Sequence, residues 1–182
     1  MTLSTGKSSK ARVWWGELPD LSYEAGQVIE HRLPVDRGPS AEQRLAAAEV
    51  WAHLGPRCLY ALLGGRFIPK PSPNLVIQVA VSAGDERRVS WALGDGIGDE
   101  VWAGLPPEYA PSVLDGALNA GTLPLLGSGE LRFDCAAYGQ VGSCERVFQR
   151  LAAIVVALLS REPKAPSEQE LGALLAYPNW AT

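Results

Sequence analysis

The order of strand and helix signals along the chain predicts an α+β domain, and three observations carry that expectation. Residues 74–82 contain Val76, Ile77, Val79 and Val81 and no charge, the β-branched composition of a buried strand. Residues 109–120 place Tyr109, Val113, Leu114 and Ala117 on one helical face behind Pro106 and Pro107, which suit a first turn because proline lacks the amide hydrogen that is orphaned there anyway. Residues 143–160 repeat the helical period with Phe148, Leu151, Val155 and Leu158.

The remaining elements follow in chain order. Residues 1–24 read as a mobile N-terminal arm and lead-in, because the first eleven are rich in Ser, Thr, Gly and Lys. Residues 28–33 alternate weakly and predict a short strand ending at Pro34. Ser40 and Glu42 mark a helix start, with Leu45, Ala48 and Trp51 on its apolar stripe and Gly55-Pro56 as its stop. Residues 58–63 fit helix and strand equally well. Gly64-Gly65 and the run from Pro69 to Pro73 bracket an exposed connection. Residues 88–93 are expected to return as a hairpin partner of 74–82, with Val89 and Trp91 on one face.

Further on, Leu131, Phe133 and Cys135 alternate with Arg132 and Asp134, giving strand 130–138 one core face. Ser143 is the expected cap of the last long helix. Residues 161–182 form a C-terminal tail, in which Ser167 and Glu170 have the spacing of a capping box for a short helix to about Ala176.

The chain has 182 residues, 47% of them hydrophobic and 20% charged, enough for one domain of about 25–160 with its own core. A net charge of −4 lacks the basic excess that broad nucleic-acid binding requires. The longest apolar run, residues 151–159, is far short of the ~20 residues a bilayer demands, so no membrane partner is expected. Three cysteines without paired spacing fit a reduced, cytoplasmic setting.

No motif announces chemistry. Gly6-Lys7-Ser8 ends like a phosphate-binding loop, yet no strand precedes it. Gly94, Gly96 and Gly98 are flanked by Asp95 and Asp99, which would repel an anion. His31 and His53 are remote from each other in sequence and from any Cys-x-x-Cys pair, so neither a metal nor a cofactor is expected. Cys144 stands at a helix start, where the dipole favours a thiolate, but only the distant His31 or His53 would be available as its base, and packing is the simpler role. No catalytic residue is assigned. Trp14, Trp15 and Trp180, near the ends, are candidates for a contact surface.

One stretch is more specific. The run Gly104-Leu105-Pro106-Pro107-Glu108-Tyr109-Ala110-Pro111, continued to Gly116, is followed by Glu130 to Tyr138 and then Gly139-Gln140-Val141-Gly142-Ser143-Cys144-Glu145-Arg146-Val147-Phe148. This resembles the second half of the fourth domain of bacterial elongation factor G. The resemblance implies a two-layer sandwich of the ribosomal protein S5 domain 2-like kind. Its roughly four-stranded sheet would comprise strands near 28–33, 75–82, 88–93 and 130–138, with helices at 107–120 and 143–160 packed on one face. In that family the domain's tip enters the decoding site of the ribosome. Tyr138, Val141, Ser143, Glu145 and Phe148 are of the family's type, whereas the family's apical histidine is Gly139 here, the acid after it is Gln140, and Gly142 replaces the residue before the serine pair. The family's glycine-rich tip loop is replaced by the proline run before Asn74.

The expected function is a non-catalytic binding protein with the ribosome or another ribonucleoprotein as partner. Arg66, Lys70, Tyr138, Gly139, Gln140 and Gly142 would form its tip loops. The alternative is a protein-binding adaptor or immunity-type inhibitor that meets a basic partner through acidic residues 95–100. Direct contact with nucleic acid and oligomeric state stay open at this point. An enzyme of the kinase superfamily, which shares half of the implied fold, is a distant third reading.

Overall fold

A computed structural model describes residues 2–6, 9–40, 42–54, 57–84, 87–161 and 165–175, without side chains for 3–6, 54 and 57. Lys7, Ser8, Gly55, Pro56, Pro163 and Trp180, which figured in the expectations above, lie outside the described residues.

The architecture is α+β, built on a mixed sheet. Its strands are β1 (Thr2–Gly6), β2 (Ser9–Trp15), β3 (Ala25–Pro34), β4 (Arg44–Leu54), β5 (Arg57–Pro69), β6 (Asn74–Ser82), β7 (Val101–Ala103) and β8 (Gly129–Gly139). They lie in the order β1-β2-β4-β5-β8-β6-β3, with the short β7 beside the far end of β8. All pairings are antiparallel except β6 with β8. A parallel pair needs a long crossover, and residues 83–128 supply it. They carry β7, helix α1 (Ala110–Leu118) and a 3-10 turn (Leu123–Leu125).

The sheet is therefore about twice as wide as the four strands expected, for three reasons. Residues 2–6 and 9–15 are not an arm but an edge hairpin that extends the sheet beyond β4. Residues 44–54 are a strand, not a Ser40-capped helix. Ala46 to Ala52 are buried without a break, and a strand covered on both faces loses the polar alternation that identifies strands. Residues 88–93, by contrast, form no strand: Arg88 makes a single bridge to Trp102, and the segment winds across the sheet.

Helix α2 (Glu145–Leu159) follows β8 and buries Phe148, Leu151, Ile154 and Val155 against β4 and β5. Helix α1 packs beside it on the same side and touches β6. Their approach is close at Gly116, where a β-carbon would collide with the backbone of Gln149. Phe148 stacks on Tyr109 at 4.9 Å between ring centres. Ser143 does not cap α2; the cap position is Cys144, with no side-chain bond to the helix. Helix α3 (Glu168–Leu175) lies against β1 and has the expected capping box, with the Ser167 amide donating to Glu170 Oε2 at 2.7 Å. That bond, with help from the Ser167 hydroxyl and Arg161, draws the Glu170 carboxyl down to about 2. Among the described residues, no helix is long and apolar enough to cross a membrane.

A bulge in β8 gives the sheet two cores. Gly64 pairs with Cys135 but Gly65 pairs with Phe133, so Asp134 is left over and the side-chain alternation reverses. Leu131 and Phe133 face the helices; Cys135 and Ala137 face the other way, contrary to the single core face expected of 131–135. There they join Tyr60, Leu62, Trp51 and Leu21 in a second cluster, roofed by Val89, Ala92 and Val101.

Candidate functional site

The sheet face away from the helices has a covered half and an open half. The covered half is fastened at Glu49 on β4, whose side chain is wholly buried. Antiparallel register sets Arg12 of β2 directly across from it, and Arg12 Nε reaches Oε2 at 2.7 Å. The Tyr60 hydroxyl and the Leu93 amide donate to Oε1 at 3.0 and 2.7 Å. The Arg12 guanidinium lies over both Trp14 and Trp91, at 5.4 and 5.3 Å from the ring centres, and donates to the Trp91 carbonyl at 2.9 Å. Burial raises the Glu49 carboxyl despite the Leu93 amide and Arg12, and burial beside Glu49 drives the Tyr60 phenol far up. The carboxylate ties β2, β4 and β5 to the 87–93 segment. Sealed in this way, it is a fastening and not a group that a substrate reaches.

A second fastening explains the turn after β8. The Asp99 carboxylate, itself buried, accepts from the amides of Val141 at 3.0 Å and Gly142 at 2.7 Å. A β-carbon on Gly139 would collide with the same carboxylate. The Gly142 carbonyl accepts from the Tyr60 amide, and the Ser143 hydroxyl donates to the Tyr60 carbonyl while accepting from the Gly139 amide. Glycine and serine are here because the turn is pressed onto the body.

The expected tip residues are consequently dispersed. Gly139 and Gly142 are buried, Tyr138 packs half-buried on the helix side, and only Gln140, beside the exposed Val141, faces outward. Arg66 and Lys70 lie towards the other end of β8, where Arg66 pairs in register with Arg132 and Pro69 with Gly129. At ~3.3 Å per residue, they stand roughly 20–30 Å from Tyr138. They do not share a tip with the 138–142 turn.

They belong instead to the open half of the sheet. Leu45, Arg66, Arg132, Gln78 and Glu30 form one row across β4, β5, β8, β6 and β3. At ~4.8 Å per strand, the row is about 19 Å wide. The displaced Asp134 sits between the two arginines, 3.1 Å from Arg66 and 3.2 Å from Arg132. Lys70 pairs with Glu130 at 2.6 Å, and Glu30 takes bonds from Gln78 at 3.0 Å and Arg32 at 2.8 Å, which lower its carboxyl. Tyr23 bounds the row, its hydroxyl donating to the Ala80 carbonyl and its phenol driven up by burial.

The other expectations are quickly placed. Gly96 and Gly98 have positive φ angles of 74° and 81° in a loop where Asp95 pairs with Arg88 at 3.0 Å, so they are turn residues. Residues 95–100 are thus committed largely to internal bonds. Trp14 joins the Arg12 cluster, and Trp15 packs against the main core. Cys144 is exposed at the start of α2. Among the described residues no three His, Cys, Asp or Glu side chains are grouped to hold a metal. One juxtaposition went unseen in the sequence. His53 and Cys58 are register partners across β4 and β5, with Cys58 Sγ 3.5 Å from His53 Nδ1. The signal was Gly55-Pro56 between two apolar runs, a hairpin punctuation overruled by the helical reading of 42–54.

No known protein family's model matches this chain, and no curated protein matches it significantly.

Proposed function

We propose that this chain is a non-catalytic binding protein that docks a protein partner on the open half of its sheet. The observation that carries the reading is the five-strand row from Leu45 to Glu30 with its flanking charges. It is a broad patch of half-exposed side chains fixed on strands and left uncovered by any described segment.

The charge pattern favours protein over nucleic acid. Arg32, Arg66, Lys70 and Arg132 alternate with Glu30, Glu130 and Asp134, whereas a phosphate backbone selects a single-sign basic stripe. Exposed pairs of this kind contribute only ~0–1 kcal/mol each, so they can exchange for a partner's charges at small cost. Such surfaces contribute mainly specificity and encounter rate.

The ribosome is the second reading. It is supported by the succession of a proline-opened helix, a long strand, a tight turn and a helix, the order on which the likeness to the elongation factor G domain rests. The S5 domain 2-like assignment and a cytoplasmic setting, consistent with three free cysteines, belong to the same proposal.

The test is affinity capture from the native extract with full-length wild type, the Arg66→Gln/Arg132→Gln double variant and an Arg146→Gln control on α2. A stoichiometric protein retained by wild type and control but lost by the double variant is the expected result, provided that all three melt alike. Equal capture by all three would sink the docking face. Ribosomal proteins released by rising salt would move the second reading to first place.

A further inference from the structure

We propose that Cys58 is a thiol modification site, activated by His53 and reactive towards low-molecular-weight disulfides. Three free thiols give the molecule its own comparison. Cys135 is buried on β8, and burial, with Asp134 nearby, pushes it up to about 12, where it is inert at neutral pH. Cys144 is exposed at the start of α2 but has no imidazole beside it among the described contacts. Cys58 alone combines partial exposure with a base.

The base is held in place. His53 and Cys58 lie directly opposite each other at the end of the β4–β5 hairpin, so the backbone ladder fixes their separation. The imidazole ring packs edge-on against Trp51, with centres 4.7 Å apart and planes at 78°. In the tautomer protonated at Nε2, Nδ1 is the acceptor that faces Sγ at 3.5 Å. Nucleophile, adjacent base and an oriented base make the arrangement that activates a thiol.

The step balances with a small disulfide, R–S–S–R, as the oxidant. The Cys58 thiol gives its proton to His53 Nδ1, and the thiolate attacks one sulfur of the disulfide. A new Sγ–S bond forms as the R–S–S–R bond breaks. The departing thiolate takes the proton from His53 and leaves as RSH. Cys58 is oxidised to the mixed disulfide, and the leaving sulfur is reduced.

An adduct there has a structural consequence. Cys58 Sγ lies 3.7 Å from the Ile97 carbonyl oxygen and 3.7 Å from where a Gly98 β-carbon would stand. Added atoms therefore press on the 94–99 loop, whose Asp99 holds the amides of Val141 and Gly142. Modification of Cys58 loosens the turn after β8.

The test treats the full chain with oxidised glutathione and follows adducts by intact mass and peptide mapping. Wild type and Cys144→Ser should gain their first adduct on Cys58. His53→Asn, a change at an exposed site, should slow the Cys58 reaction at least tenfold at neutral pH while leaving Cys144 unchanged. Hydrogen exchange at Val141 and Gly142 should rise in the adduct and stay unchanged in treated Cys58→Ser. Cys144 reacting first, or a Cys58 rate indifferent to His53→Asn in a variant that melts like wild type, would overturn the assignment.

Discussion

Replacing Arg12 by methionine is the most direct probe of the buried tie at Glu49. The substitution keeps an apolar stem between Trp14 and Trp91 but removes the only cation bonded to a carboxylate with no solvent exposure. Two neutral donors, Tyr60 and the Leu93 amide, would be left to hold the charge. Removing one partner of a buried pair costs ~3–5 kcal/mol; Arg12 is itself 22% exposed, which places the expectation at the low end, about 3 kcal/mol. The two lost cation–π contacts, about 0.5 kcal/mol each, are offset by methionine's contacts with the same rings. For a chain of this length, that loss lowers the melting midpoint by roughly 6–12 °C.

The loss should also depend on pH. Burial raises the Glu49 carboxyl in the folded state, and removing Arg12 raises it further. A raised acid contributes stability that is fully present below the unfolded value, about 4.3 for glutamate, and lost as pH climbs through the folded value. The variant should therefore fall furthest behind wild type at neutral pH and recover towards about pH 4, where Glu49 is protonated in both. Urea denaturation followed by tryptophan fluorescence at the two pH values measures this. A deficit below ~1 kcal/mol at neutral pH, or an equal deficit at both, would refute the buried-charge argument.

Two further substitutions test the packing and the turn. Phe148→Ala empties a fully buried aromatic stacked on Tyr109 and should cost about 3–5 kcal/mol, whereas an unchanged denaturation midpoint would mean the α2 face is misplaced. Gly139→Ala inserts a methyl group where the Asp99 carboxylate sits and should cost about 1–3 kcal/mol, with faster amide exchange at Val141 and Gly142. Unaltered protection at those amides would show that Asp99 does not hold the turn.

What the sequence reveals depends on which faces each element covers. Strand β6 and helices α1 and α2 each present one strongly apolar face, and their periods announce them. Strand β4 is buried on both faces, and its Leu45, Ala48 and Trp51 mimic a helical stripe. Losing β4 also hid the β4–β5 hairpin, and with it the meeting of His53 and Cys58. The bulge at Asp134 is equally silent, since Leu131, Phe133 and Cys135 keep perfect alternation through a reversal that only cross-strand pairing exposes. Glu49 and Asp99 look like ordinary surface acids until tertiary contacts bury them. The row of polar side chains on the open face is assembled from five strands, so no local pattern foretells it.

The position of β8 bears on how the chain is made. Strands β5 and β6 are joined by residues 70–73 alone, yet they do not pair; β8, synthesised about 60 residues later, lies between them. At a translation rate of about 5–20 residues per second, their facing edges wait some 3–12 seconds for it. Both edges carry apolar side chains, among them Leu63, Phe67, Leu75 and Ile77, and a premature β5–β6 hairpin would close the gap. Pro69, Pro71 and Pro73 oppose that closure, because a proline-rich connector is stiff, extended and poor at tight reversal. The proline run thus acts as a spacer during biosynthesis, keeping a slot open for the strand that completes the sheet.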